Sequence, residues 1–131
     1  MIWLTKKQII KLHFEVISKT GGSFEIRDTG LLDSAINSPL LTFDGKELYP
    51  SIIEKIARIS FSLVMNHPFI DGNKRIGALC MTVLLKLNSI EVKFSNKEIV
   101  DTFLKIASGN IDYLTFYKWL HMKVNNKHVG L

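Results

Sequence analysis

Apolar residues recur along this chain with the period of an α-helix, in stretches bracketed by polar start and stop signals. Ile9, Leu12, Val16 and Ile17 fall on one face behind a Thr5–Gln8 capping box, and Gly21-Gly22 stops the run. Asp28 can cap a short second helix carrying Leu31, Leu32, Ala35 and Ile36. Pro39 ends it, because the residue before a proline avoids helical geometry. Two short apolar stretches between Leu41 and Leu48 flank Asp44-Gly45, a dipeptide suited to a tight hairpin turn, and predict a small β-flap. Ser51 with Glu54 opens a third helix, in which Ile52, Ile53, Ile56, Ala57, Ile59, Leu63 and Val64 cover more than one face, as befits a central helix. His67 to Gly72 interrupts the helical pattern, and Asn73 opens a fourth helix running through Leu79, Val83, Leu84 and Leu87. Ser95 with Glu98 starts a fifth, to about Ala107, and Asp112 caps a sixth that holds Phe116, Trp119 and Leu120. The pattern predicts an all-α, six-helix bundle with one β-hairpin.

Length and composition narrow the class. A chain of 131 residues without repeats or linker-like stretches reads as a single domain, residues 1–131, large enough for a proper core. Its 47% hydrophobic and 22% charged residues match ordinary globular usage and exclude a disordered or fibrous chain. With one cysteine, Cys80, neither an intrachain disulfide nor a cysteine-built zinc cluster can form; on its apolar helix the thiol reads as a small buried hydrophobe. The first residues lack the order of a signal peptide, and no apolar run approaches the roughly 20 residues of a membrane span, so a cytoplasmic location is expected. The net charge of +5 is scattered, with Lys6-Lys7 and Lys74-Arg75 as adjacent pairs, and predicts a solvated basic surface more than a nucleic-acid footprint. His13, His121 and His128 lie too far apart to suggest a metal site and are expected in structural or surface roles. Trp3 and Trp119 are expected to pack the terminal helices.

The chemistry is concentrated between the third and fourth helices. His67-Pro68-Phe69-Ile70-Asp71-Gly72-Asn73-Lys74-Arg75 places a base, a carboxylate, a glycine, an amide and two cations at a helix start. Unpaired backbone N–H groups and partial positive charge there suit phosphate oxygens, and Gly72 lets the backbone approach closely. Arg75 offers a planar fork and Lys74 a mobile point charge. Asp71 can hold magnesium, which needs few carboxylates when phosphates and water complete its shell. A histidine is largely neutral near pH 7, so His67 can accept the proton of an attacking hydroxyl. On the residues alone, a plain helix cap at His67 and an ordinary Asp-Gly-Asn turn remain the alternative.

This segment resembles the signature of the Fic/Doc superfamily, His-x-Phe-x-Asp/Glu-Gly/Ala-Asn, and its Asn73-Lys74-Arg75 ending resembles the Doc, or death-on-curing, branch. Gly21-Gly22, Arg27-Asp28, Leu31-Leu32, Ser34-Ala35, Leu48-Tyr49-Pro50, Leu87-Asn88 and Ala107-Ser108-Gly109 extend the likeness over roughly residues 4 to 120. The resemblance implies that His67 is the catalytic base, Phe69 anchors the loop, Asp71 binds Mg2+, and Gly72, Asn73, Lys74 and Arg75 engage the phosphates of ATP. It also implies a flap, Phe43, Asp44, Gly45 and Lys46, that aligns a protein target by strand addition. Fic enzymes that attach AMP usually carry a second glycine where Lys74 stands and a second arginine where Ala78 stands. In Doc proteins that lysine accompanies a reversed nucleotide. The resemblance therefore implies a kinase-like toxin of a type II toxin–antitoxin system that moves the terminal phosphate of ATP to a Ser/Thr hydroxyl of a translation factor, by analogy elongation factor Tu. Transfer of AMP is the enzymatic alternative, and a non-enzymatic nucleic-acid-binding or interaction domain the alternative of another class. No glutamate lies in the self-inhibitory pattern of Fic proteins, which implies control by a separate antitoxin whose tail folds into a groove.

Overall fold

The computed structural model describes residues 1–125, so His128 lies outside the described residues. Six helices follow one another: α1 (Lys6–Thr20), α2 (Thr29–Asn37), α3 (Ile52–Met65), α4 (Asn73–Leu87), α5 (Asn96–Ala107) and α6 (Tyr113–Asn125). Between α2 and α3 stands an antiparallel hairpin, β1 (Thr42–Phe43) and β2 (Lys46–Glu47), with Thr42 opposite Glu47 and Phe43 opposite Lys46. The fold is all-α with one small hairpin, as the pattern of apolar positions predicts.

Local chemistry sets the helix starts. Thr5 and Gln8, Ser51 and Glu54, and Ser95 and Glu98 each form the reciprocal capping box, satisfying two backbone donors that a helix end leaves orphaned. Asp28 Oδ1 accepts from the Leu31 N–H at 2.9 Å, and Asp112 Oδ1 from that of Thr115 at 2.8 Å. The hairpin turns on Asp44 and Gly45, both with positive φ (52° and 76°), the geometry that matches strand twist in a two-residue turn. The α-helix α2 ends ahead of Pro39, as expected, but Ser38 keeps right-handed helical angles. The chain does not leave helical geometry at Pro39 but continues as a single 3-10 turn over Ser38–Leu40, where a proline near the start has no N–H bond to lose.

α3 is the axis of the core. It packs against α2, α4, α5 and α6, and Ile56, Ala57, Ile59 and Leu63 are fully buried. α4 comes closest: a Cβ built on Gly77 would sit 2.7 Å from Val64 Cγ2 and 3.0 Å from the Ser60 carbonyl oxygen, so this approach requires glycine. Phe116, Phe103, Trp119 and Phe94 form an aromatic layer beneath α5 and α6 that includes Trp119, whereas Trp3 packs against the core from the amino terminus. Burial drives the Cys80 thiol up to about 12, leaving it an inert core residue. Among the described residues, no helix is long and apolar enough to cross a membrane.

Candidate active site

The bend between α3 and α4 is held from both sides. On its outer side runs residues 22–28, whose backbone lies antiparallel to the bend through the Ile26–Phe69 bridge. Ile70 N–H donates to the Glu25 carbonyl (3.1 Å), and the N–H groups of Arg27 and Asp28 both donate to the Pro68 carbonyl (2.7 and 3.0 Å). The Arg27 side chain reaches further, donating from Nε to the His67 carbonyl and from Nη2 to the Asn66 carbonyl. His67 needs that grip. It is exposed and sits at φ 50°, a left-handed conformation uncommon for a residue with a Cβ.

On the inner side the bend closes over α1. Phe69 is fully buried and stacks on His13, their rings 3.7 Å apart and 9° from parallel. His13 Nε2 donates to the Asp71 carbonyl at 2.7 Å; because that oxygen can only accept, Nε2 carries the ring proton. Burial lowers the His13 pKa from its usual value and the nearby Arg75 charge adds to this, while the bond to the Asp71 carbonyl and the Asp71 charge oppose it. Asn73, the first residue of α4, folds its amide back on the bend: Phe69 N–H donates to Oδ1 (3.0 Å) and Nδ2 donates to the Phe69 carbonyl (2.9 Å).

What this frame presents to solvent is a cleft of about 440 Å³ at the N-terminus of α4. The bend supplies His67 and Ile70 to Arg75, α3 supplies Val64 and Met65, and Ala107 closes the end of α5. Its volume suits a nucleotide-sized ligand. Gly72 takes φ 82°, a left-handed conformation that strains any residue with a Cβ, and a Cβ there would sit 3.1 Å from Ile17 Cδ1. Asp71 lines the cleft while its Oδ2 accepts from the Ser23 N–H at 2.7 Å. Arg75 donates to Thr20 Oγ1, and Lys74 is exposed with no acidic partner among the described residues. No cluster of three metal-ligating side chains occurs among the described residues. A lone carboxylate beside helix-terminal N–H groups fits magnesium carried in with phosphates and does not fit a free-standing protein metal site.

Residues 3–85 match the family model described as Fic/DOC family. This chain belongs to the Fic/DOC family. It is also 38% identical over 94 residues to toxin Doc of Mycolicibacterium smegmatis, an alignment covering 70% of this chain and 72% of that one. In this Fic/DOC chain the structure brings His67, Asp71, Gly72, Lys74 and Arg75 around one cleft. Phe69 is buried beneath it, and Phe43 to Lys46 stand on the exposed hairpin. Asn73 also lines the cleft, and its side chain is held by the bend, with Oδ1 and Nδ2 each bonded to Phe69 while its backbone N–H lies in the first turn of α4.

Two supports of the bend escaped the residue-level reading of the sequence: Arg27 entered it only as part of a resemblance, and Ser23 not at all. His13 stands in a structural role, as expected, though its partners Phe69 and Asp71 were not foreseen. Its spacing of four from Ile9 and from Ile17, both buried on α1, was the one available sign that it faces the core.

Proposed function

We propose that this protein is the toxin of a toxin–antitoxin pair, a cytoplasmic kinase-like enzyme. It moves the terminal phosphate of ATP to a Ser/Thr hydroxyl of a translation factor, elongation factor Tu being the first candidate, and so blocks translation. The observation that carries the reading is a base, a carboxylate and two cations converging on one cleft at the N-terminus of α4. The likeness to a protein named toxin Doc supports the toxin role, and with it an antitoxin partner.

The chemistry follows from the positions. His67 takes the hydroxyl proton as the target oxygen bonds to the terminal phosphorus; the bond from that phosphorus to the bridging oxygen breaks, and ADP leaves. Backbone N–H groups of the first turn of α4 and the Arg75 fork hold the phosphate oxygens. Lys74 adds a cation that sets which phosphorus faces the hydroxyl. Asp71 would hold magnesium brought in with the nucleotide, and the ion would supply further charge neutralisation.

Incubation of the purified protein with elongation factor Tu and ATP, followed by mass measurement of the factor, tests this. A phosphate-sized gain that disappears in His67→Ala is expected. A nucleotide-sized gain would overturn the kinase reading in favour of AMP transfer. No gain in the factor, with steeply salt-dependent binding to nucleic acid instead, would favour a binding module.

A further inference from the structure

The hairpin carrying Phe43 to Lys46 has little packing of its own. Every residue from 40 to 48 is exposed, and each strand is two residues long. Strands that short do not hold their shape unaided in water, so the hairpin must be tied to the body of the protein. The tie is Lys55.

Lys55 lies in the first turns of α3 and is only 4% exposed, whereas lysine is almost never buried unless paired. Its ammonium donates to the Tyr49 carbonyl and pairs with Glu47 Oε1 at 3.0 Å. Tyr49 in turn packs edge-on against Tyr113, at 5.3 Å between ring centres, and the Tyr113 hydroxyl donates to the Glu54 carbonyl at 3.0 Å. One buried cation thus grips the point where the chain leaves the hairpin and the last residue of β2. It also fixes which face the ribbon shows. Side chains alternate across a strand, so with Glu47 turned to Lys55, Lys46 and the Phe43 paired with it occupy the opposite face, where Phe43 is 75% exposed.

We propose that Lys55 is a positioning residue for target recognition. Through Tyr49 and Glu47 it sets the direction in which the hairpin presents Phe43 and Lys46, and hence the register of a target strand relative to His67, while touching neither nucleotide nor target. The inference rests on the reading of the hairpin as the target-aligning flap.

Two measurements on the full chain test it, using Lys55→Met, Lys55→Arg and Glu47→Ala. Limited chymotrypsin digestion needs no substrate: cleavage after the exposed Phe43 accelerates roughly tenfold in Lys55→Met and in Glu47→Ala, and stays near wild type in Lys55→Arg. With elongation factor Tu as the target, its KM rises roughly tenfold in the first two variants while the KM for ATP is unchanged. Glu47→Ala lies at a half-exposed position and serves should Lys55→Met fail to fold. Unchanged digestion at Phe43 in Lys55→Met and Glu47→Ala, or a loss confined to kcat and the ATP KM, overturns the proposal. Wild-type protein that transfers nothing to the factor counts against the kinase reading, and the digestion result then decides the clamp alone.

Discussion

Arg27 donates from Nε to the main-chain oxygen of His67 at 2.6 Å and from Nη2 to that of Asn66 at 3.0 Å, so the residue proposed as base rests on a guanidinium 40 positions earlier. A left-handed backbone at a residue other than glycine costs on the order of 1–3 kcal/mol and persists only where its surroundings enforce it. Arg27→Lys keeps the charge but loses the planar fork. The expected outcome is a fall in phosphate transfer of roughly 10- to 100-fold, with a stability loss of about 1–3 kcal/mol in urea titration. Transfer at the wild-type rate would show that His67 keeps its place without this grip.

Asn73 makes a separate prediction. Removing its amide in Asn73→Ala leaves a buried N–H and a buried carbonyl of Phe69 without partners, at a cost of about 1–3 kcal/mol for each orphaned group. Denaturant unfolding should show a loss of that order. Binding of an ATP analogue should weaken only as far as the bend loosens. A variant of full stability with abolished nucleotide binding would show that the side chain itself meets the phosphates.

His13 predicts a pH dependence. The unfolded imidazole takes up a proton near its usual value of 6.5, whereas the folded one, with burial the largest cause, does so only at lower pH. Between those two values the unfolded chain binds more protons, so this contribution to stability is complete above about pH 6.5, declines as the pH falls through the window, and levels off below it. The charged groups acting on the ring are Arg75, which deepens the effect, and Asp71, which opposes it. His13→Gln can still donate to the Asp71 carbonyl but does not titrate. Its urea midpoint should therefore fall less than that of the wild type between pH 7.5 and 5.5, about one unit either side of the free imidazole value. Parallel losses in the two proteins would remove His13 as the source.

Gly77 sets the distance between the two central helices. Alanine is the better helix former by up to about 1 kcal/mol, yet its methyl would meet Val64 Cγ2 at 2.7 Å and a backbone oxygen at 3.0 Å. Overpacking of that kind costs about 1–3 kcal/mol and should win, since the backbone oxygen cannot swing aside. Gly77→Ala is thus expected to unfold at lower urea concentration, and an unchanged midpoint would mean that α4 can slide on α3 without penalty.

The elements were legible in the sequence because their signals are local. Thr5 with Gln8, Ser51 with Glu54, and Ser95 with Glu98 announce helix starts within four residues, and Asp44-Gly45 announces its turn in two. The functional loop was legible as a cluster of groups, but not as a geometry. The direction of the Asn73 amide depends on how the bend folds back over Phe69, and an Asp-Gly-Asn tripeptide is equally at home facing solvent. The pairing of residues 22–28 with the bend joins segments distant in sequence through a single bridge and scattered hydrogen bonds, which leaves no periodic trace. Pro39 misled in a small way: the α-helix does end ahead of it, yet Ser38 keeps helical angles against the usual preference before proline and the chain runs on through one 3-10 turn.

The bonds that shape the bend join His13 to Asp71 across 58 positions, Ser23 to Asp71 across 48, and Arg27 to His67 across 40. Contacts so remote in order close long loops, whose entropic cost only the assembled fold offsets. A polypeptide still emerging from the ribosome therefore carries the right letters without their arrangement, and the bend takes its shape only when the amino-terminal helix has docked beneath the completed pair.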